Sequence, residues 1–287
     1  MILIFLMYAL IASTFTFSKA ILCYASPLFF VGFRMLLAGV LLLGYNYYKN
    51  KKLEISLLDI IPYLFLTLIY IYIPYIFEMW AMTTVTSARA ALIYNLTPFF
   101  TAAFAYLSLK EKLSLSKIIG LTIGFLGYLP LFSSCLRCDY WYLISIQDLA
   151  LLIATASGAY SWILIKHFFN RGKSIVEING VTMLLGGFFA MATAVIFKPS
   201  EIYVTNWGQF LWLVAAVTLI GNIISYNLYG MLLKKYNATF LSFCGFTTPL
   251  FAAVYQWVIW RDVVGWQFFI ALIGVSLGLY VFNCINR

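Results

Sequence analysis

Apolar segments of nearly bilayer-spanning length follow one another along this chain and restrict the folds that it can adopt. Crossing a bilayer as a helix takes about 20 apolar residues. Hydrophobic residues make up 64% and charged residues 9% of the chain, whereas a soluble domain carries about 25% charged residues. Nine polar breaks separate the apolar segments, at residues 23–27, 49–58, 83–86, 110–114, 136–146, 166–174, 198–207, 234–237 and 261–263. The sequence therefore predicts an all-α integral membrane protein with ten transmembrane helices.

A pattern centred on a proline occurs twice in the chain, 151 positions apart. The residue pairs related by this offset are Tyr75–Tyr226, Pro98–Pro249, Lys110–Arg261, Glu111–Asp262 and Gly127–Gly278. A membrane chain that repeats itself near its midpoint indicates two halves around a shared central cavity. We place the first repeat at residues 1–134, with spans 1–5, and the second at residues 147–287, with spans 6–10.

The distribution of basic residues predicts the orientation of the chain. With a cytoplasmic N-terminus, twelve of the 18 Lys and Arg fall on the cytoplasmic side, and only Arg137, Lys198 and Arg261 fall outside. Because cytoplasmic loops carry an excess of Lys and Arg, we expect both termini in the cytoplasm. Five spans in each half then make the second repeat an inverted one. The net charge of +9 reflects this topology, so the expected partner is the lipid bilayer and not nucleic acid.

Four charged residues lie at membrane depth in the predicted outer half of the first repeat, namely Lys19, Arg34, Glu78 and Arg89. Placing such a residue inside the membrane costs at least ~2.5–3.5 kcal/mol of insertion free energy, so each indicates a structural or functional role. Either they form a polar vestibule that attracts a carboxylate or phosphate, or Lys19, Glu78 and Arg89 extend to the membrane interface. Arg34 lies about 9 Å below the start of span 2, too deep to extend easily. We expect a buried role for Arg34, with an ion pair to Glu78 as one option and substrate contact left open.

Polar and aromatic residues form matching stripes on spans 3 and 8. The stripes are Tyr72, Tyr75, Glu78 and Met82 on span 3, and Asn222, Ser225, Tyr226 and Tyr229 on span 8. Lipid cannot satisfy such a stripe, so it faces either a cavity between the halves or helix neighbours whose hydrogen bonds contribute ~0.6 kcal/mol each. The candidate substrate-binding residues are Lys19, Arg34, Tyr75, Glu78, Tyr94, Asn95, Trp162, Asn222, Tyr226 and Tyr229.

Pro98 and Pro249 lie near the middles of spans 4 and 9 and predict kinks there. Each proline removes a backbone donor, which leaves the carbonyl of Tyr94 or Gly245 without its helical partner. In a transporter such a kink can expose polar backbone at the level of the substrate. A purely structural kink is the alternative.

Glycines at helical spacing in spans 5 and 10 predict close helix packing. They are Gly120 and Gly124 in span 5, and Gly274 and Gly278 in span 10. Such pairs allow close approach either within one chain or across a homodimer. In the loop after span 5, Cys135 and Cys138 could form a disulfide, which the sequence leaves undecided.

Signals for catalysis are missing from the sequence. His167 is the only histidine, so a histidine-based catalytic or metal centre is not expected. Gly172-Lys173-Ser174 resembles the end of a phosphate-binding loop, but residue 167 is not glycine and no strand precedes it. We expect no enzyme activity, no cofactor and no metal.

The two repeated segments resemble the EamA domain, the unit of the drug/metabolite transporter superfamily. The matching features, in order, are Ser18-Lys19, Phe33-Arg34-Met35-Leu36, the proline-centred fourth span, Glu111, and Gly120, Gly124 and Gly127. The second copy departs from the pattern, because Thr182 falls near the position of Arg34, Asp262 replaces Glu111 and Ala271 replaces Gly120. The resemblance implies a ten-span transporter of small organic metabolites, and it does not name the substrate.

These observations predict a secondary transporter that works by alternating access. The first substrate hypothesis is an amino acid or a derivative, and the alternative is a nucleoside-containing metabolite such as S-adenosylmethionine. A channel or a structural membrane protein is the alternative of another class. The Ile-, Tyr- and Asn-rich composition is typical of AT-rich bacterial genomes, so we expect the bacterial inner membrane. Direction of transport, coupling ion and oligomeric state stay open.

Overall fold

The computed structural model describes residues 1–51, 56–81, 84–85, 87–111, 114–132, 145–197, 202–260 and 265–284. The sequence features at Met82, Cys135, Cys138, Arg261 and Asp262 lie outside these residues. Within them the regular structure is helical, apart from one isolated β-bridge between Ala25 and Val204. In a helix the backbone polar groups bond within the same segment, as a lipid environment requires.

Seven helices in the described part of the chain are long and apolar enough to cross a membrane. They are Pro27–Asn50, Ile60–Ala81, Arg89–Leu109, Ile146–Asn170, Ile175–Phe197, Trp207–Leu233 and Ala238–Tyr255. Three shorter apolar helices accompany them, namely Ile2–Ser18, Leu115–Tyr128 and Trp266–Phe282. Large apolar side chains such as Phe188 and Trp212 are exposed on the outside of the bundle. An outer surface of this kind suits a protein surrounded by lipid.

Several crossing segments consist of two α-helices joined by a short π- or 3₁₀-helical stretch. The α-helices are α1 (Ile2–Ile21), α2 (Pro27–Asn50), α3 (Ile60–Thr67), α4 (Ile73–Ala81), α5 (Ser87–Tyr94), α6 (Thr97–Leu109), α7 (Leu115–Tyr128), α8 (Ile146–Asn170), α9 (Ile175–Phe197), α10 (Trp207–Val217), α11 (Tyr226–Leu233), α12 (Ala238–Cys244), α13 (Thr248–Trp260) and α14 (Trp266–Cys284). The joining stretches are Leu68–Tyr72, Thr218–Ser225 and Gly245–Thr247.

The interruptions recur at the offset of the sequence repeat. Adding 151 to the bounds of α6 gives the bounds of α13. The same shift moves the π-helix Leu68–Tyr72 into the π-helix Thr218–Ser225. In the second π-helix the Ser225 hydroxyl donates to the Ile220 carbonyl, five residues back, at 2.7 Å. Single π-helical turns inside α-helices frequently mark functional sites, and here both halves carry one at the same place.

Glycines bring two pairs of helices into backbone contact. Between α2 and α9, a Cβ built on Gly39 would lie 2.5 Å from the Leu184 nitrogen, and one built on Gly32 would lie 3.0 Å from the Met191 nitrogen. The residue number of the contact rises along α2 while that of its partner falls along α9, so the two helices are antiparallel. Contacts between glycines this close are typical of helix packing in membranes.

The predicted close packing of the span 5 and span 10 glycines occurs inside one chain. A Cβ built on Gly127 would lie 2.6 Å from the Cα of Gly274, and one built on Gly278 would lie 2.6 Å from the Gly120 carbonyl oxygen. Helices α7 and α14 are again antiparallel. The homodimer allowed by the sequence therefore cannot use these glycines, because the two faces already cover each other.

The described ends of the bundle differ in their residues. At one end, which we call the lysine-rich end, lie Lys51, Lys110, Lys166, Lys173 and Lys234. Contacts between the loops there include Lys166 with Glu111 and Lys173 with Asp59. At the opposite end, the Thr205 backbone N–H donates to the Tyr24 carbonyl at 2.8 Å, next to the β-bridge.

A substitution in the glycine contact tests the packing of α7 on α14. Gly278→Ala should destabilise the protein by about 1–3 kcal/mol, because the added methyl group has to push two backbones apart. Gly44→Ala is the matched control, since a Cβ on Gly44 meets nothing within 4 Å. Thermal unfolding in detergent should show a lower midpoint for Gly278→Ala only. Equal midpoints for both variants would contradict the contact.

Candidate functional site

A group of aromatic side chains lies where the two halves of the chain meet. The hydroxyl groups of Tyr75 and Tyr226 are hydrogen-bonded at 2.8 Å, and these residues are related by the repeat offset of 151. The Trp162 ring stacks on Tyr229 with 3.9 Å between ring centroids. The rings of Tyr70 and Trp162 form a T-shaped pair with 5.1 Å between their centroids. We call these five side chains the aromatic cluster. Helices α4, α8 and α11 and the first π-helix supply it.

Arg34 of α2 lies beside the aromatic cluster with an unusual lack of polar partners. Its guanidinium carbon is 5.2 Å from the centre of the Tyr75 ring and 5.1 Å from that of Phe30. The residue is only 7% exposed, and its Nε has no hydrogen-bond partner in the described part of the chain. Cation–π contacts hold the flat group in place, but they provide no hydrogen-bond acceptor for its Nε–H.

Glu78 of α4 completes the polar part of the site. Its carboxylate accepts a hydrogen bond from the Tyr94 hydroxyl and interacts electrostatically with Arg34. The ion pairs formed between described residues do not include a direct one between Arg34 and Glu78. The sequence had left that ion pair as one option, and the structure instead keeps the two charges near each other but separate.

Several side chains of the site remain only partly buried although they lie inside the helix bundle. These residues are Tyr75, Glu78, Tyr94, Trp162 and Tyr226. Polar side chains in a membrane protein face protein or water, not lipid. Tyr75, whose ring lies against Arg34, and Glu78 therefore keep accessible surface inside the bundle.

Two predicted binding residues lie away from this group. Asn222 is 2% exposed and directs its amide to the sulfur atoms of Met35 and Met183, at 3.2 and 3.7 Å. Asn95 is 8% exposed and lies beside Tyr128 of α7, and its Nδ2 has no hydrogen-bond partner among the described residues. The Asn222 amide is thus used in packing, whereas the part of Asn95 in substrate binding stays a prediction.

Of the two remaining charges of the predicted vestibule, Arg89 is engaged elsewhere in the bundle. Arg89 forms an ion pair with Asp148 at 2.6 Å. The same carboxylate accepts a hydrogen bond from the Ser145 backbone N–H in the capping box at the start of α8. Lys19 lies in α1, but its side chain is outside what the structure describes. The described polar site is therefore narrower than the vestibule that the sequence predicted.

Pro98 and Pro249 lie in the first turns of new helices. Helix α5 ends at Tyr94 and α6 begins at Thr97, whose hydroxyl donates to the Tyr94 carbonyl. In the second half, the Thr248 N–H donates to the Gly245 carbonyl. The two carbonyls thus lack their helical N–H partners but accept from nearby threonines instead, and exposure of polar backbone to a substrate at these breaks stays a prediction.

Sequence reasoning missed Tyr70 and the buried polar chain behind it. The Tyr70 hydroxyl donates to Asn179 at 3.2 Å, and the Asn179 amide donates to Asn227 at 3.3 Å. Tyr70 precedes Tyr75 by five residues, a spacing that puts side chains on different faces of an α-helix. A π-helix closes its turns five residues apart, so both tyrosines reach the aromatic cluster.

Contacts between spans 3 and 7 at the lysine-rich end are ionic. Lys173 contacts Asp59 at 2.8 Å and Glu177 at 3.3 Å, and the Tyr63 hydroxyl donates to Glu177 at 2.9 Å. The hydrogen bond from Lys173, assisted by the Ser56 N–H, lowers the pKa of Asp59. Burial alone would lower the pKa of Lys173, but its carboxylate partners outweigh this effect and raise it.

The corresponding contacts at the opposite end are aromatic. The repeat offset moves Asp59 to Phe210, whose ring lies 5.8 Å from Phe29, 5.5 Å from Phe33 and 5.8 Å from Trp207. At each end of the bundle the starts of two helices, one from each half, are thus in contact. Charged side chains make this contact at the lysine-rich end, and aromatic rings make it at the opposite end.

Helices long enough to cross a membrane, an apolar exterior and a polar, aromatic centre define a multi-pass membrane protein. The model of the EamA-like transporter family matches residues 1–133 and 145–284. The chain belongs to this family and is a transporter, which confirms the resemblance seen in the sequence.

Similar proteins cover nearly the whole chain. An S-adenosylmethionine/S-adenosylhomocysteine transporter of Chlamydia muridarum is 32% identical over 263 residues, which are 90% of this chain and 83% of that protein. A protein of the same name from Chlamydia trachomatis serovar L2 is also 32% identical, over 90% of this chain and 80% of that protein. The uncharacterized transporter YoaV of Bacillus subtilis is 22% identical over 89% of this chain and 86% of its own. One crystal structure has the same fold, with a TM-score of 0.78, 15% identity and coverage of 99% of this chain and 97% of that one.

The ionic contact at the lysine-rich end should depend on pH in a defined direction. Because the pKa of Asp59 is lower in the folded protein, its stabilising effect is present above its ordinary value of 3.8 and is lost as the pH falls through the folded value. At neutral pH, Asp59→Asn should cost roughly 0.5–1 kcal/mol, as expected for a partly exposed pair. Thermal unfolding at neutral and acid pH should show this difference shrinking on acidification.

A double-mutant cycle with Lys173→Met assigns the effect to the pair. The exposed Lys235, also near this end, provides the control Lys235→Met, which should show no coupling to Asp59→Asn. Equal coupling for both lysines, or a difference that grows in acid, would contradict the assignment.

Proposed function

We propose that this chain transports S-adenosylmethionine and S-adenosylhomocysteine across the inner membrane of a bacterium. The similarity to the two chlamydial transporters of these compounds supports the proposal, because it extends over 90% of the chain. The structural observation that carries it is the aromatic cluster beside Arg34 and Glu78. Of the two substrate hypotheses from the sequence, these findings favour the nucleoside-containing metabolite over the amino acid.

The aromatic cluster suits the adenine part of these compounds. Stacking of a base on an aromatic side chain contributes about 1–3 kcal/mol and needs only a flat ring with a free face. Trp162, Tyr70 and Tyr226 have ring centroids within 6.0 Å of one another, and Trp162 and Tyr226 are the partly exposed members of this group. A sulfonium centre also gains from the faces of tyrosine rings through cation–π attraction. A simple amino acid would use the two charged residues and leave this aromatic half without a role.

For the transport mechanism we propose alternating access by two inverted repeats of five spans, at residues 1–134 and 147–287. The antiparallel pairs α2 with α9 and α7 with α14, and the π-helices at matching places, support this arrangement. The lysine-rich end faces the cytoplasm in this proposal, because basic loops stay on that side. Both termini are then cytoplasmic.

In this mechanism the two ends open in turn around the central site. Opening toward the cytoplasm breaks the contacts of Lys173 with Asp59 and of Lys166 with Glu111, which join the two halves. Opening to the other side separates Phe210 from Phe29 and Phe33. The hydrogen bond between Tyr75 and Tyr226 also joins the halves, so a substrate between them replaces it.

An amino acid or a derivative is the second candidate, and one observation favours it. Arg34 and Glu78 place opposite charges side by side, as a free amino acid requires. The two candidates differ in what they need from the aromatic cluster, and this difference separates them by experiment.

Transport by the purified protein in liposomes tests the proposed substrate. Wild type should take up labelled S-adenosylmethionine in a saturable way, and unlabelled S-adenosylhomocysteine should inhibit that uptake. Trp162→Ala should weaken substrate binding by about 5- to 150-fold, the equivalent of about 1–3 kcal/mol of stacking. Trp212→Ala is the matched control, because that ring is 67% exposed on the outside. Saturable uptake of methionine without uptake of S-adenosylmethionine would favour the amino-acid alternative.

A further inference from the structure

Within the described part of the chain, Arg34 is a buried charge whose Nε–H has no acceptor. Asp148, Glu177 and Glu111 each have a basic or hydroxyl partner within hydrogen-bond distance. Arg34 is 7% exposed, close to the 4% of Asp148 and the 6% of Glu177, and the described groups that lie over its guanidinium are the rings of Phe30 and Tyr75. A guanidinium carries five N–H donors, and leaving such a group unpaired in the interior is costly.

Glu78 does not relieve this deficit. Its carboxylate is bonded to the Tyr94 hydroxyl and is not in direct contact with Arg34, although the two charges interact. Both charges lie beside the partly exposed Tyr75, because Arg34 lies against the Tyr75 ring and Glu78 follows Tyr75 by one helical turn. The protein therefore holds a positive and a negative group next to one accessible side chain without letting them neutralise each other.

A ligand with a single charge fits this arrangement poorly. A phosphate or a lone carboxylate that satisfies Arg34 is repelled by Glu78, and a lone cation that satisfies Glu78 is repelled by Arg34. A ligand group that carries both charges a few ångströms apart satisfies both residues at once. The α-amino acid end of a metabolite is such a group.

We infer that Arg34 and Glu78 form a subsite for the zwitterionic amino-acid end of the substrate. Arg34 receives the carboxylate, Glu78 receives the α-ammonium group, and the rings of Tyr75 and Phe30 hold the guanidinium in place. The inference rests on the proposed function, since it assigns one end of the same substrate to one part of the same site. It also sets a specificity rule, because a nucleoside without the amino-acid end leaves the two charges unsatisfied.

Binding of two related compounds to the purified full-length protein tests the subsite. S-adenosylhomocysteine has the amino-acid end, and 5′-methylthioadenosine has the same nucleoside and thioether without it. Wild type should bind the first at least tenfold more tightly than the second. In Arg34→Gln this preference should fall to less than threefold, because the affinity for S-adenosylhomocysteine drops while that for 5′-methylthioadenosine is unchanged. Lys235→Gln removes an exposed charge near the lysine-rich end and should keep the full preference.

A second variant and a third probe keep the test decisive if Arg34→Gln does not fold. Glu78→Gln should also reduce the preference, and decarboxylated S-adenosylmethionine should bind wild type at least tenfold more weakly than S-adenosylmethionine. The comparison of probes on wild type needs no variant. Equal affinities of wild type for S-adenosylhomocysteine and 5′-methylthioadenosine, or an equal loss of both in Arg34→Gln, would overturn the subsite.

The outcomes for the subsite and for the proposed function are distinguishable. Wild type that binds S-adenosylhomocysteine and 5′-methylthioadenosine equally retains the proposed function and loses the subsite. Wild type that binds neither nucleoside but binds methionine, in a manner abolished by Arg34→Gln, loses the proposed function and retains the subsite.

Discussion

Polar groups inside a bilayer have to be paired by the protein itself, because lipid offers no hydrogen bonds. The helices satisfy the backbone in this way, and threonines at the helix breaks satisfy carbonyls that proline would otherwise leave alone. Several charged side chains in the described part of the chain obey the same rule, as Arg89 with Asp148 and Lys173 with Asp59 do. Pairing within the protein thus fixes the ends of the bundle and the points where helices break.

The centre of the molecule holds a charged group whose pairing is left incomplete. Arg34 lies over two rings without an acceptor for its Nε–H, and Glu78 has a single tyrosine partner. Incomplete pairing is a free-energy cost that a bound ligand can remove, so it is expected at a binding site rather than in a packing core. The neighbouring rings supply apolar and stacking surface. A substrate with a flat aromatic end and a doubly charged end suits both parts.

The spacing rules of the α-helix predicted much of this site from the sequence. They placed Tyr75 and Glu78 on one face, while the 151-residue repeat matched Tyr75 to Tyr226, and the hydroxyl groups of these two tyrosines are hydrogen-bonded to each other. They also grouped Asn222 with Tyr226, and there they failed, because the π-helix Thr218–Ser225 turns Asn222 toward Met35 and Met183. A π-helix also contains Tyr70, so α-helical spacing did not group this residue with Tyr75. A local π-turn has no clear signature in a single sequence, so such residues become visible only in the structure.

The direct test of the central claim is to locate a bound substrate chemically. An S-adenosylhomocysteine analogue with a photoreactive azide on its adenine ring can be cross-linked to the protein and the labelled residues found by mass spectrometry. We predict labelling of segments that contain Tyr70, Trp162 or Tyr226, suppressed by excess S-adenosylhomocysteine. Suppressible labelling confined to the outer apolar surface, such as the groove formed by Leu126 and Ile273, would contradict a substrate site between the two halves.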